Sequence, residues 1–552
     1  MRRYIVICAM VIALPVFAQL DNTVEVTNEV KPVVTDVKKV DVKTKAAETK
    51  MKHYTMEYDV KSQSLSNYVA EPLGDYRSEA VWKGNKRGYL HLAGGSHGNL
   101  DGQIGYQFDF SDADALGIDL SLQGFSGKAK DNPYHEVTDW SSRDYHNRSA
   151  LKYSHSFGNG AEFYAKGTFE NRMFNYMGVS SPTDKQHDVL GNFDFGLTPF
   201  AAGRFTVGAS AGVDFFSQKY QTNLADKLGE TFLHANADVA YDVADNHSVG
   251  LGLGFVNSSY GDVGVDGITR LRFTPHYIYS DRNMRFQLGV FVNTKGEVAP
   301  DVRFTYHINR NSDVYVEARG YEDDNHLRRL SDIHPYLVLD VSDDGEKKEL
   351  DAEFHQIDAR LGYRFNTDCG FSGNINGGFD YSKNAADIDA LLYAAWDRML
   401  LYPWMDFSRN RRFYANADFV YAYKDIVKVD AKNALNLESG EHIDKWISGS
   451  YIVPAFEMQW VADVKIVNGL YFGLSWEFAA YSTPDIPLPE GSIAYERPNT
   501  VNLGANLRYT LPIDMPLTLF VKGDNLLNQK YDRYFGYRNI GVNFLAGFAM
   551  SF

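Results

Sequence analysis

From about Gly88 onward, apolar and polar residues alternate with a period of two. Leu116, Ile118, Leu120 and Leu122 interleave with Gly117, Asp119, Ser121 and Gln123, and the stretches 205–215, 249–255, 470–478 and 501–509 repeat the pattern. Successive side chains of a β-strand point to opposite faces, so each stretch reads as a strand with one apolar and one polar face. A soluble sandwich would give the same alternation with the apolar face turned inward. Strands of roughly ten residues, next to no helical periodicity and a chain of 552 residues instead favour a transmembrane barrel with apolar side chains in lipid and a polar lumen. An open sheet of that size would have to split or leave bare edges.

Turn chemistry then sets the strand count. Short Asn/Asp/Gly connections recur at 111–114, 158–160, 199–203, 244–246, 281–283, 309–311, 368–370, 408–410, 467–469 and 513–515, as hairpins on the periplasmic side would require. Longer connections at 128–144, 322–353, 425–445, 483–498 and 525–537 are the expected outside loops. With a first strand near 87–95 and a last one over 538–552, the expectation is an all-β, antiparallel transmembrane β-barrel of about 22 strands over residues 87–552.

Composition narrows the class further. The chain holds 35 Phe, 36 Tyr and 7 Trp, yet only 44% of it is hydrophobic, and no apolar run of helix-spanning length follows the N-terminus. That excludes a helical membrane bundle, and the aromatic content excludes a disordered chain. Arg2 and Arg3, the apolar run 4–14 and the small-residue site ending at Ala18 read as a secretory signal peptide, residues 1–18. Cys8 leaves with the signal, so Cys369 is the one cysteine of the mature chain and no internal disulfide can form. The formal charge of −16 falls by a further two with Arg2 and Arg3, which argues against a nucleic-acid partner.

Two motifs lie near the C-terminus. Val542, Phe544, Ala546, Phe548, Met550 and Phe552 alternate with smaller or polar residues and stop on a terminal aromatic. Gly547, Met550 and Phe552 match the spacing of the C-terminal signal read by the barrel-assembly machinery of outer-membrane proteins, although Leu545 stands where a polar residue is usual. The run Val521-Lys522-Gly523-Asp524-Asn525-Leu526-Leu527-Asn528-Gln529-Lys530-Tyr531 resembles the penultimate-strand motif of TonB-dependent receptors, with Asn525, Leu526, Leu527, Asn528 and Tyr531 carrying the match. The Tyr-rich strands and the Val/Lys-rich leader resemble proteins of the Bacteroidota. The resemblance implies location in the cell outer membrane and a transport role. One departure matters: the family carries a plug of well over a hundred residues before its first strand, whereas residues 19–86 read as a short periplasmic leader that does not resemble one.

The leader has two readings. Lys31, Lys38, Lys39, Lys43, Lys45, Lys50 and Lys52 against Asp36, Asp41 and Glu48 suit a solvated linker. Thr23-Val24-Glu25-Val26-Thr27 faintly resembles a TonB box, an extended segment able to add a strand to a partner's sheet. Residues 54–82 are candidates to fold back into the lumen.

Chemistry-bearing constellations are few. Gly94-Gly95-Ser96-His97-Gly98 fits G-x-S-x-G, but a nucleophile elbow needs a strand feeding a helix and this run lies in a tight hairpin. No catalytic residue is assigned, and no enzyme activity is expected. Asp340, Ser342, Asp344 and Asp351, with Gly345 at the turn, have spacings akin to a calcium loop. Lys347 at position eight and a short Asp at the last position favour a solvated acidic loop instead, so no cofactor is expected beyond that calcium alternative.

Three functions fit these readings. The first is a plug-less, TonB-dependent-receptor-like barrel acting as a passive or partner-gated transport conduit. The second is a structural scaffold of an outer-membrane complex, partnered by outer-membrane lipid and by surface lipoproteins or periplasmic proteins. The third, an enzyme, has no constellation behind it. In either of the first two, a lumen this wide has to be constricted. Small inward residues such as Gly208, Ser210, Gly212, Gly250, Gly252 and Gly254 leave it unfilled, which points to the leader, to 322–353, to 425–445 or to a partner as the filling.

Overall fold

A computed structural model describes residues 87–130, 139–176, 184–219, 228–261, 265–335, 338–339, 348–395, 398–440, 453–481, 497–513 and 517–552. Residues 1–86, where a signal peptide and a leader are expected, lie outside the described residues. Twenty-two strands run in chain order and close into an antiparallel barrel. They are β1 (Gly88–Gly95), β2 (Leu100–Asp109), β3 (Asp114–Lys130), β4 (Asp139–Ser156), β5 (Glu162–Tyr176), β6 (Asp184–Ala202) and β7 (Phe205–Gln218). Next come β8 (Leu228–Ala244), β9 (His247–Gly261), β10 (Ile268–Ser280), β11 (Met284–Asn293), β12 (Val298–Asn309), β13 (Ser312–Asp323), β14 (Glu353–Asn366) and β15 (Phe371–Ala395). The set ends with β16 (Arg398–Tyr423), β17 (Val427–Gly440), β18 (Phe456–Val467), β19 (Leu470–Ala480), β20 (Thr500–Thr510), β21 (Leu517–Asp524) and β22 (Asn543–Ser551). No described helix is long and apolar enough to cross a membrane.

The period-two pattern places its apolar face outward. Phe169, Phe193, Phe215 and Leu233 on consecutive strands are all exposed, at 53%, 48%, 51% and 42%. Asp144, Asp188, Glu230 and Arg270 on the opposite face are buried. Monomers in water do not present contiguous apolar belts of this kind. Hydrocarbon is the solvent that such a face requires, and the chain is an outer-membrane barrel with a polar lumen.

Closure is made by the first and last strands. Residues Tyr89 to Gly95 of β1 pair antiparallel with Ser551 to Leu545 of β22, and Phe552 N and O bond to Gly88 O and N, both at 2.9 Å. Gly547 sits at a tight point of this seam, where a Cβ would overlap the Leu92 carbonyl oxygen and the Ala93 backbone. Met550 stands opposite Leu90 on one side and Leu517 on the other, and the Phe552 ring lies against Tyr106. The G-x-S-x-G run makes the three-residue 3-10 turn between β1 and β2, with no helix behind it. Its Ser96 hydroxyl donates to Asn543 Oδ1 at 2.8 Å and accepts from Phe544 N at 2.8 Å, which ties that turn to β22.

Short connections gather at one end with Arg87 and Phe552, which the length rule makes the periplasmic end. One expected turn is misplaced. Ser408-Arg409-Asn410 lies inside β16, and the hairpin falls at 424–426, where Lys424 takes a left-handed φ of 51° and Asp425 pairs with Lys465 of β18. Asp425 therefore belongs to the periplasmic side, and most of 425–445 is strand β17, not an outside loop. The reason is length. β15 and β16 run for 25 and 26 residues, where crossing takes about ten. Their outer halves continue as a paired ribbon, joined on the β16 edge by residues 338–339, and a turn-like tripeptide inside a paired ribbon stays extended. A register shift between Ser382 and Ala385, with Asn384 at φ 56°, marks where the ribbon bends away from the barrel wall.

Because the seam tolerates no side chain at Gly547, Gly547→Val should lower barrel stability by about 2–4 kcal/mol. The check is the temperature at which the compact band converts to the unfolded band on heat-modifiability gels, set against Ala549→Val one turn of the pleat away.

Candidate functional site

The lumen at the long-loop end is crossed by two of the barrel's own connections. The first, 324–352, leaves β13 and turns at once into a short helix, α1 (Leu327–Ile333). Leu327, Leu330 and Ile333 recur at helical spacing on one face and are buried. Arg328 and Arg329 emerge in different directions and reach opposite walls. Arg328 Nη1 donates to Asp214 Oδ1 of β7 at 3.0 Å, with Glu170 of β5 at 3.5 Å from Nη2. Arg329 Nη2 donates to Glu353 Oε2 of β14 at 2.7 Å. Beyond the guanidiniums, Ser331 Oγ reaches Asp188 Oδ2 of β6 at 3.4 Å and Gln218 of β7 donates to the Pro335 carbonyl at 3.2 Å. The helix is a bolt whose two ends are keyed to different parts of the wall.

The second connection, 525–542, enters from the β21 side, and the family-like motif aims it. Asn525 and Asn528 both hold left-handed φ, 48° and 51°, a conformation Asn tolerates better than other side chains do. Asn525 Nδ2 donates to the Gln529 carbonyl and its Oδ1 accepts from Gln529 N, both at 2.9 Å, while Leu526 N bonds to Leu503 O of β20. Tyr531 is buried behind this turn, and Asn539 N closes onto its carbonyl at 3.0 Å. A small hairpin follows, with Asp532–Tyr534 against Tyr537–Arg538 and Phe535 fully buried. Arg533 Nη1 lies 3.1 Å from Asp144 Oδ2 of β4, a carboxylate that Arg172 of β5 also grips at 3.1 and 2.9 Å. Arg172 donates onward to the Tyr534 hydroxyl at 2.8 Å.

The two connections touch over the lumen. His334 Nε2 lies 3.1 Å from the Phe535 carbonyl oxygen, which can only accept, so the imidazole donates there. Its ring sits 5.6 and 5.8 Å from those of Tyr534 and Tyr537. Burial pushes the imidazole down to about 3, with Arg497 and Arg172 adding to the effect, so it is neutral when the loops are docked. Burial acts the other way on two loop carboxyls: Asp332 is raised, and Asp532 is pushed up to about 6 despite its 3.3 Å contact with Arg538.

Of the lumen-filling segments the sequence suggests, the described part of 322–353 is found across the mouth, and the described part of 425–445 is a turn followed by strand β17. Residues 54–82 lie outside the described residues, as do Asp340, Ser342 and Asp344. Asp351 is described, and its carboxylate is held by Arg270 and by Lys295, the latter at 2.7 Å. The part played by 525–542 is missed in the sequence, although Arg533 in a Tyr-rich hairpin directly after the motif is a usable signal. Small inward residues do not simply leave space, because their neighbours lean over them. A Cβ on Gly212 would meet Asp194 and His234 from the flanking strands, and one on Gly250 would meet His276.

No protein-family model and no curated protein sequence matches the chain. Solved structures do. The FrpB iron transporter from Neisseria meningitidis superposes with a TM-score of 0.63 at 10% identity, over 86% of this chain and 82% of that one. The copper transporter OprC gives 0.60 at 11% identity over 85% and 80%, and the siderophore receptor PirA from Acinetobacter baumannii gives 0.61 at 10% over 85% and 80%. At these identities the likeness establishes the fold, a barrel of the TonB-dependent-receptor type.

His334 makes loop docking sensitive to acid. Released into water, its imidazole titrates near 6.5; docked, it titrates near 3. Between those values only the released state takes up the proton, so docking weakens as pH falls from about 6.5 by up to about tenfold per unit. Asp332 and Asp532 oppose this, since their raised values favour the docked state as they protonate. The difference between wild type and His334→Gln isolates the imidazole. In single-channel records at pH 7 and pH 5, the wild type should gain more open time on acidification than the variant.

Proposed function

We propose that this protein is an outer-membrane transport conduit that works without a separate plug domain, closed at rest by its own loops and opened by a partner or a ligand. One observation carries the reading: α1 and the hairpin after β21 span the mouth and are fixed to the walls by ion pairs, Arg328 to Asp214, Arg329 to Glu353 and Arg533 to Asp144. The paired side chains are largely buried while the loops are docked, but unlike an apolar core they regain hydration once released into the lumen. A closure built from them is suited to reopening. Two of the similar structures are named as transporters, of iron and of copper, and the third as a siderophore receptor, and transport is the class we take from them. A surface lipoprotein is the natural opener, since the described parts of both connections lie at the outer end, and a periplasmic protein is the alternative. Gly547, Met550 and Phe552 additionally serve, in this reading, as the signal for the barrel-assembly machinery. The scaffold alternative shares the closed lumen but needs no opening.

Planar-bilayer recording separates the two. The intact barrel should show low conductance, and a form with 326–350 replaced by a short Gly/Ser linker should show an increase of at least roughly fivefold, because an unobstructed barrel of this strand number is wide. Large, stable conductance from the intact protein would overturn the closed resting state. A linker form that stays closed would overturn the conduit and leave the scaffold.

A further inference from the structure

We infer that Asp323, Glu353 and His355 form a binding site for a divalent transition-metal ion, zinc being the representative, at the root of the lumen-crossing connection. The inference stands on side-chain geometry and does not rest on the transport reading. Asp323 is the last residue of β13, Glu353 the first of β14, and the two lie directly opposite each other in the ladder. Like charges at paired positions repel, so something has to hold them together. His355, two residues along β14, is directed at both.

The spacing suits a metal. Ligand atoms of all three residues fall within 4.8 Å of one another. His355 Nε2 lies 3.4 Å from Glu353 Oε1 and 3.8 Å from Asp323 Oδ2. Metal bonds of about 2.0–2.2 Å in a tetrahedral site put neighbouring ligand atoms about 3.4 Å apart. The ring is already oriented for the task. Its Nδ1 is 2.8 Å from Asp380 Oδ1, an acceptor only, so Nδ1 carries a proton and Nε2 is the nitrogen that can bind a metal once the metal displaces any proton there. Arg412 backs Asp380 at 3.4 Å and Tyr321 stacks on the ring face at 4.2 Å. A carboxylate behind a histidine is the usual outer support of a metal-bound imidazole.

A second observation points to a ligand. His355 is 3% exposed, and its Nε2 is buried with no hydrogen-bond partner. Protonated, that nitrogen would bury an N–H with no aligned acceptor; unprotonated, its lone pair would face two carboxylates. Each state is costly in a buried site, and a cation between the three groups removes both costs. Asp323, Glu353 and Asp380 face two guanidiniums, Arg329 and Arg412, and the His355 ring itself, so a cation bound here takes the place of a proton on Nε2. Glu353 divides its oxygens accordingly. Oε2 accepts from Arg329 of α1, while Oε1 faces His355 and accepts from Ser382 at 3.0 Å. An ion on Oε1 and the bolt on Oε2 thus share one carboxylate, so metal occupancy and the seating of α1 are coupled. One imidazole nitrogen with two carboxylate oxygens suits zinc, cobalt(II) or manganese(II) better than calcium or a thiophilic ion. The site shares no residue with the calcium-like run 340–351.

The test uses untagged full-length protein in detergent, stripped with chelator and titrated with zinc and with cobalt(II). Wild type should take up one tight equivalent of zinc, and cobalt(II) should develop visible d–d absorption that zinc abolishes. His355→Gln should weaken zinc binding at least a hundredfold, and Asp380→Asn, which changes only the support of the ring, by about 10–100-fold. Each variant is compared as its folded, heat-modifiable form, and Asp380→Asn decides if His355→Gln fails to fold. Absence of a zinc equivalent in the wild type would overturn the inference, as would undiminished binding in the variants.

Discussion

The constraint on which the structure depends is that hydrocarbon offers no hydrogen-bond partner to a peptide group. A sheet in that solvent cannot have an edge, so β1 must find β22, and every strand between must be paired on both sides. The C-terminal sequence follows from this demand. Gly547 admits the Leu92 carbonyl where a side chain would hold the strands apart, and the chain ends with Phe552 bonded to Gly88 through both backbone groups. Closing so many strands then creates a second problem, a lumen too wide for side chains to fill.

The protein meets that problem with charge. Apolar filling would be stable, but the wall facing the lumen is polar because the apolar face is turned to lipid. What docks against such a wall must offer complementary charge, and α1 and the hairpin at 532–538 do so through Arg328, Arg329 and Arg533 against Asp214, Glu353 and Asp144. Removing one partner of such a pair leaves a buried charge behind, so the walls and the connections constrain one another's sequence. The apolar residues of α1 are not wasted in this arrangement. Leu327, Leu330 and Ile333 form the packed side of the bolt, while its arginines set where it sits.

How much of this is legible in the sequence varies with the range of the interaction. Period-two alternation is local, and it gives the strands; chain length and turn chemistry add the inside-out polarity and the count. Turn chemistry is local too, and it fails where local signals are overruled: Ser408-Arg409-Asn410 has turn residues, yet pairing of Asn410 with Ser382 and of Ser408 with Ala385 on β15 keeps it extended. The occluding role of 322–353 is legible as a need, because the small inward residues imply a filling. Its particular contacts are not, since Arg328 meets residues more than a hundred positions away and nothing in the intervening chain marks them. The group at Asp323, Glu353 and His355 is invisible in the sequence for a similar reason. Two of its ligands are neighbours on β14, but the third arrives only because 324–352 returns the chain to the point from which it left.

The motif that carries the family resemblance illustrates the link between local and global most directly. Asn-Leu-Leu-Asn at 525–528 is a left-handed turn whose side chains bond to the backbone around it, a feature that five residues can specify on their own. Its consequence is not local. By fixing the direction in which the chain leaves β21, it delivers Arg533 to Asp144 on β4 and the Phe535 carbonyl to His334 on the other connection. A substitution that relaxed the turn would leave the barrel's ladders intact and release one half of the closure. The same residues that make this sequence look like a receptor barrel therefore act, in this chain, on how its lumen is held shut.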